Sequence, residues 1–149
     1  MGIEKYVSKI RPINSNVNNV YAHLSNLENL SRYFSGEVTD KINKEIPQVQ
    51  ITNVRSDYDS IKVNITGLGE TGLNVIERES SKLIKLATAD NFPLPIIVWI
   101  QLLPVSEQES KIRLTVHMTM NMMAKMAIGK KMKKGVDKMV ETLSLMTYR

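Results

Sequence analysis

Few side chains in this sequence could act as acids, bases or metal ligands, and they are widely spaced. The only two histidines are His23 and His117, and no spacing of Asp or Glu around them supports a metal site. The chain has no Cys, which excludes disulfide bonds, thiolate catalysis and cysteine-ligated zinc or iron–sulfur sites. We therefore expect no metal and no cofactor, and we assign no catalytic residue.

A cyclase or hydratase would need an acid or a base that faces an internal cavity. The candidates are Glu77, whose face on its strand the sequence leaves open, together with Lys125 and Tyr33. Asp57 and Asp59 fall in a segment typical of a turn, and we interpret both as turn formers. The sequence thus leans away from an enzyme, although a small cyclase or hydratase stays as an alternative.

The segment 67–72 reads Gly-Leu-Gly-Glu-Thr-Gly, which matches the glycine pattern of dinucleotide-binding loops. In such loops the preceding strand is buried on both faces, whereas residues 61–66 alternate apolar and polar side chains. Leu73, Val75 and Ile76 do not continue along one helical face. The pattern therefore favours a glycine-rich hairpin loop over a dinucleotide site.

Alternating apolar and polar residues predict an antiparallel sheet between residues 49 and 119. Its clearest strand is 112–120. In the strand 96–102, alternate residues should face the core, so Ile97, Trp99 and Leu103 should point away from it. Monomers seldom expose a large apolar patch, so we expect a homodimer through these three residues, unless a loop near residues 92–95 shields them.

Helical spacing marks three segments. Val17, Val20, Tyr21 and Leu24 share one face after the capping candidates Asn14, Ser15 and Asn16, and Leu27, Leu30 and Phe34 form a second short face. From residue 122 onward, the spacing predicts one amphipathic helix of about seven turns. The expected inner stripe is Met122, Met126, Gly129, Met132, Val136, Met139, Leu143 and Met146, with Lys125 close to it.

The net charge of +5 comes entirely from this last segment. Residues 122–149 carry seven basic and two acidic side chains, whereas residues 1–121 carry thirteen of each. Lys130, Lys131 and Lys134 could contact an anionic membrane, although a solvated lysine face needs no partner. No aromatic residue interleaves with these lysines, so we do not expect nucleic acid as a partner.

The order of the elements resembles the helix-grip fold of the START-like (SRPBCC) superfamily, which includes polyketide-cyclase-like and lipid-transfer proteins. Val20 to Glu28, VYAHLSNLE, is similar to the superfamily's pattern after its first strand, and Leu102-Leu103-Pro104 is similar to its strand-end Leu-x-Pro. The resemblance implies a single α+β domain over residues 1–149. In it, a curved antiparallel sheet of about six or seven strands wraps a long C-terminal helix, with two short helices after the first strand.

The resemblance also implies an apolar cavity between the sheet and the long helix. We expect it to bind a small hydrophobic or amphipathic ligand such as a lipid, a sterol or a polyketide-like molecule. Methionine suits such a pocket because it is flexible and polarizable, although methionines at helical spacing are also typical of ordinary core packing. The expected ligand-binding residues are Tyr33, Phe34, Leu86, Val98, Ile100, Val116, Met118, Met122 and Met126. A membrane- or protein-interaction module using the basic helix is a further alternative.

Nothing in the sequence predicts a signal peptide or a membrane span. Residues 1–10 carry charges and lack the apolar core of a signal peptide. The longest apolar run, 94–103, is interrupted by Pro95 and Gln101 and is far shorter than the roughly 20 residues that a spanning helix needs. We therefore expect a soluble, cytoplasmic protein.

Overall fold

The computed structural model describes residues 2–31, 39–40, 43–44, 50–66, 69–89, 94–146 and 148. Eight strands form one antiparallel sheet: β1 (Gly2–Val7), β2 (Arg11–Ile13), β3 (Ile51–Ser56), β4 (Ser60–Ile65), β5 (Gly69–Glu79), β6 (Leu83–Thr88), β7 (Ile96–Ser106) and β8 (Glu109–Met120). The strand order is β1-β8-β7-β6-β5-β4-β3, and β2 also pairs with β8.

In the described part of the chain, the helices α1 (Val17–Ser25), α2 (Glu28–Ser31) and α3 (Met122–Ser144) accompany the sheet, and residues 39–40 and 43–44 are helical as well. Asparagine side chains cap the N-termini of α1 and α3. Asn16 Oδ1 accepts a hydrogen bond from the Asn18 N–H, and Asn121 Oδ1 accepts one from the Ala124 N–H, both at 2.8 Å. Together, the antiparallel sheet, the two short helices and the long C-terminal helix confirm the predicted α+β helix-grip architecture. Among the described residues, no helix is both long enough and apolar enough to cross a lipid bilayer.

The core lies between the sheet and the helices. Alternate residues of β8 are buried, and in the antiparallel register Leu114 lies opposite Ile100 while Ile112 lies opposite Leu102. We call this side of the sheet, which faces α3, the inner face. The helices complete the core with residues such as Leu24, Val140 and Leu143. Full burial of one such side chain contributes about 1.5–3 kcal/mol.

The resemblance implies one strand before the two short helices, whereas the structure has two strands there. β1 and β2 both pair with β8 but are separated at Ser8, whose Oγ accepts a 2.8 Å hydrogen bond from the Leu114 N–H. Pro12 is tolerated in β2 because a strand that pairs on one side needs only part of its backbone N–H groups. The sheet consequently has eight strands rather than six or seven.

The glycine-rich segment leads into a hairpin, as predicted. Gly69 to Glu79 form a strand that pairs with β4, so no helix follows the glycines as a dinucleotide-binding loop would require. A Cβ at Gly72 would lie 2.3 Å from the backbone oxygen of Ile61. Glycine is needed at this position because the two strands approach too closely for any other residue.

A bulge in β5 changes which side chains face the core. The pairing shifts between Val75, opposite Leu86, and Glu77, opposite Lys85, so that Arg78 lies opposite the buried Ile84. Arg78 therefore points inward, where it donates to the carbonyl oxygens of Ser25 and Tyr58, both at 2.9 Å. The face of Glu77 is thereby settled, since this residue is exposed and lies away from the core.

Asp57 and Asp59 are turn residues, as expected. The Asp57 carboxylate accepts hydrogen bonds from the Ser60 hydroxyl and from the backbone N–H groups of Asp59 and Ser60, at 2.8–2.9 Å. The bond from the Ser60 hydroxyl is the main cause of a pKa below the usual range for Asp57. Asp59 pairs with Arg78 at 2.8 Å.

Candidate functional site

The long helix covers one side of the inner face. It packs mainly on β1, β2 and β8, while β4 to β6 extend beyond it. Inner-face side chains there, namely Ile61, Leu73 and Val75, are only half-buried. This apolar surface beside α3 is the candidate site for a hydrophobic ligand.

Five residues predicted to line the ligand site lie together on the inner face. Leu86, Ile100, Val116 and Met118 are buried, and Val98 is half-buried and packed against them. Their role in binding a ligand stays a prediction. Tyr33 and Phe34 lie outside the described residues.

Two further predicted lining residues are exposed. Met126 is 81% exposed and lies two positions before buried Ile128, so its inward placement was wrong. Met122 is 71% exposed, although it lies about five turns before buried Val140 on the same side of the helix, and its role in binding a ligand stays a prediction. The buried stripe of α3 runs through Ile128, Val136, Val140 and Leu143, so the predicted stripe is confirmed at Val136 and Leu143. Met132, Met139 and Met146, also predicted to face inward, are half-buried and packed against the core. Lys125 lies three positions before Ile128, so a lysine occupies the inner position in the first turns of the helix.

Lys125 is paired with a carboxylate on β1. Its Nζ lies 3.1 Å from Glu4 Oε1, and the side chains of Lys125 and Glu4 are 53% and 27% exposed. Glu4 lies opposite Met118 and Tyr6 lies opposite Val116, which places both β1 residues on the inner face. The arrangement brings a carboxylate, an ammonium group and a hydroxyl together at the β1 edge of the inner face.

The charges of Glu4 and Lys125 both affect the pKa of Tyr6. Burial raises the pKa of the Tyr6 hydroxyl, the Glu4 carboxylate raises it further, and the Lys125 ammonium lowers it, with a net rise above the ordinary value. Gly129 lies beside this hydroxyl, and a Cβ there would be in ordinary van der Waals contact with it, 3.5 Å from the Tyr6 oxygen. We call Glu4, Tyr6 and Lys125 the polar cluster. It can hold a polar group of a ligand or transfer a proton.

The sequence did not reveal Glu4 because β1 inverts the usual pattern, in which apolar side chains face the core and polar side chains face the solvent. Its apolar residues Ile3 and Val7 are exposed at 61% and 42%, while Glu4 and Tyr6 face inward. The signal that could have found Glu4 is Lys125 itself, since a lysine within an apolar stripe needs a partner of opposite charge. In the part of the chain that the structure describes, no three His, Asp or Glu side chains are arranged to hold a metal ion.

The outer face of β7 carries the three residues of the predicted dimer patch. Ile97 and Trp99 are half-buried and Leu103 is 60% exposed. The indole of Trp99 is flanked by the His117 ring, with centroids 4.4 Å apart, and by Lys85 Nζ at 5.2 Å from its centroid. Side chains of neighbouring strands therefore cover part of the patch. Self-association through it stays a prediction.

The four lysines between residues 130 and 134 of α3 divide into two groups. Lys133 points toward β1, where it donates to the Val7 carbonyl and pairs with Asp137 at 3.1 Å. Lys130, Lys131 and Lys134 are exposed, and their ammonium groups form no ion pair among the described residues.

Comparison of the sequence with protein-family models finds no match, and a search of curated proteins finds none either. The fold is similar to those of several solved structures at low sequence identity. A conserved protein from Geobacillus kaustophilus has a TM-score of 0.58 at 15% identity, covering 93% of this chain and 88% of its own. A protein from Chromobacterium violaceum has a TM-score of 0.59 at 11% identity, covering 100% and 99%.

Norcoclaurine synthase from Thalictrum flavum also has this fold. It has a TM-score of 0.59 at 8% identity, covering 96% of this chain and 85% of its own. The same enzyme has been solved in complex with dopamine and hydroxybenzaldehyde, in a structure with a TM-score of 0.53 at 10% identity, covering 95% and 88%. At these identities the likeness shows the helix-grip fold alone.

Proposed function

We propose that this protein binds a small amphipathic molecule between α3 and the inner face of the sheet. The observation that carries the proposal is the Glu4–Lys125 ion pair, which lies at the β1 edge of the inner face, whereas half-buried apolar side chains lie on its β4 to β6 side. A ligand with an apolar body and one polar group would match this combination of a charged pair and an apolar surface. Lipids, sterols and polyketide-like molecules all have this form.

The apolar part of the ligand would lie along β4 to β6. Side chains such as Ile61, Leu73 and Val75 are only half-buried by the protein itself, so a ligand can bury what remains exposed. Removing about 200 Å² of apolar surface from water contributes about 5 kcal/mol. That amount supports reversible binding once the cost of immobilising the ligand is subtracted.

The polar part of the ligand would lie at the polar cluster. Lys125 is half exposed, so its ammonium can accept a second partner in addition to Glu4. The Tyr6 hydroxyl adds a neutral donor, because a phenol is protonated at neutral pH and the pKa of Tyr6 is raised above its ordinary value. A carboxylate, a carbonyl or a hydroxyl on the ligand would be recognised by this combination.

The test uses an apolar fluorescent probe, competition by fatty acids, and mass spectrometry of molecules that co-purify with the protein. Val75→Trp places a bulky ring on the inner face and should weaken probe binding by about tenfold or more. Ile76→Trp is the matched control, since Ile76 is 56% exposed. No binding by the folded wild-type protein, or equal effects of both variants, would contradict the proposal.

A small-molecule cyclase or hydratase is a second candidate, and Glu4 is the observation that favours it. Glu4 faces inward and pairs with Lys125, and a carboxylate in that position can accept a proton from a bound substrate. The fold shared with norcoclaurine synthase suggests a first assay with an aromatic amine and an aldehyde. Turnover that Glu4→Gln abolishes while probe binding persists would support the enzyme, whereas binding without turnover would support the binding protein.

A further inference from the structure

We propose that the solvent-facing side of α3 docks the protein on an anionic lipid bilayer. This surface, the Met–Lys face, has Met122, Met123 and Met126 at its N-terminal end and Lys130, Lys131 and Lys134 in the following two turns. The proposal does not depend on whether the protein binds a ligand or catalyses a reaction.

The methionines form an apolar tip on the surface. Met122, Met123 and Met126 are 71%, 81% and 81% exposed, and Ala127 beside them is exposed as well. Three large apolar side chains within five positions form a patch that water solvates poorly. Insertion into the boundary between headgroups and acyl chains would remove that patch from water.

The lysines add the charge complementarity. All of the net charge of +5 arises from residues 122–149, and Lys130, Lys131 and Lys134 form no ion pair among the described residues. Each lysine near an anionic bilayer adds favourable energy that salt weakens. An apolar tip continued by a basic strip is the pattern by which interfacial helices bind such bilayers.

Other partners fit this surface less well. A second copy would bring two sets of like charges together, which disfavours a dimer through the Met–Lys face. Single-stranded nucleic acid would favour aromatic side chains for base stacking, and the face has none. A bilayer uses both the lysines and the exposed methionines.

The experiment is co-sedimentation of the full chain with lipid vesicles. We expect binding to vesicles of phosphatidylglycerol and phosphatidylcholine in equal parts, weakened by added salt, and no binding to phosphatidylcholine alone. Lys130→Gln/Lys134→Gln should weaken binding on the order of thirtyfold. The control Lys82→Gln/Lys111→Gln removes the same charge from exposed positions elsewhere and should bind like the wild type.

A second double variant tests the contribution of the methionines. Met123→Gln/Met126→Gln should weaken binding by about tenfold while keeping its salt dependence. All substituted residues are exposed, so circular dichroism should show a folded protein in each case.

Three results would overturn the proposal. The first is no binding of the wild type to anionic vesicles, and the second is an equal loss in the lysine control. The third is equally tight binding to heparin or duplex DNA that the methionine substitutions leave unchanged, because that would indicate a general polyanion surface. The Val75→Trp variant should dock like the wild type, so a failure of the ligand proposal can be told apart from a failure of this one.

Discussion

Arg78 donates a hydrogen bond of 2.9 Å to the carbonyl oxygen of Ser25, the last residue of α1. Its guanidinium also lies 4.3 Å from the Tyr58 ring centroid and pairs with Asp59. One side chain thus joins the sheet, the β3–β4 turn and the end of a helix. The bulge in β5 is what makes this contact possible.

Loss of Arg78 should therefore be costly. We expect Arg78→Met to lower the free energy of unfolding by about 2–3 kcal/mol, because it leaves carbonyl groups and a carboxylate without their donor. Arg55→Met removes an exposed ion pair with Glu70 and should cost less than about 1 kcal/mol. Urea denaturation of both variants measures the difference, and equal losses would contradict the role given to Arg78.

Asp137 should make stability depend on pH. Burial raises the pKa of this carboxyl, but the hydrogen bonds from the Lys9 N–H, at 2.9 Å, and from Lys133 outweigh burial, so the pKa lies below its ordinary value. A lowered pKa in the folded state stabilises the protein above the unfolded pKa of about 3.9, and this contribution is lost as the pH falls through the folded pKa.

Asp137→Asn should accordingly lower the free energy of unfolding by about 1 kcal/mol at neutral pH. The difference from the wild type should disappear in acid, once the wild-type carboxyl is protonated. Urea denaturation at several pH values provides the measurement. Glu141→Gln, which changes an exposed carboxylate of the same helix, should have little effect at any pH. A difference for Asp137→Asn that persisted in acid would mean that the carboxylate charge is not its source.

The polar cluster should reveal itself in the titration of Tyr6. Glu4→Gln removes a charge that raises the pKa of this hydroxyl and should lower it, whereas Lys125→Met removes a charge that lowers the pKa and should raise it. The absorbance of tyrosinate, after subtraction of the Tyr6→Phe variant, measures both shifts. Shifts in the same direction, or none, would show that the three groups are not close in solution.

Replacing Gly72 or Gly135 by alanine should change the stability of the protein in opposite directions. Gly72→Ala forces a Cβ against the Ile61 backbone oxygen and should destabilise the protein by more than about 2 kcal/mol. Gly135 is helical and exposed with no atom within 4 Å of a Cβ, so Gly135→Ala should stabilise by about 1 kcal/mol. Thermal unfolding followed by circular dichroism distinguishes the two, and any gain for Gly72→Ala would contradict the close approach of β4 and β5.

Self-association through the outer face of β7 can be tested at Leu103. If the predicted dimer forms, light scattering should show it at high concentration, and Leu103→Glu should shift it to the monomer. Ile10→Glu, at a residue that is 59% exposed elsewhere, should not. A strict monomer at every concentration would remove this prediction.

The best-predicted elements are those with one fully apolar face. The alternation in β8 correctly identified Ile112, Leu114 and Val116 as buried, and the extent of α3 agrees with its helical pattern. In both cases many residues contribute to one periodic signal.

The features that the sequence did not predict depend on which residues of a helix face the core, or on contacts between residues far apart in the chain. Hydrophobicity alone cannot distinguish exposed Met126 from buried Ile128, so the inner stripe of α3 was placed incorrectly at its start. Glu4 was missed because its partner Lys125 lies far along the chain. The bulge that turns Arg78 inward leaves no sequence signal, since it is a property of strand pairing.

The pairing of β1 with β8 also determines when this chain can fold. Gly2 lies opposite Met120, so the first strand has no partner in the sheet until β8 has been made. At about 5–20 residues per second, a ribosome needs roughly 6–24 seconds to synthesise that intervening length. Throughout that time the backbone of β1 has no partner in the sheet, and an unpaired strand can pair with the wrong segment. Of the strands in this sheet, β1 waits longest for its partner.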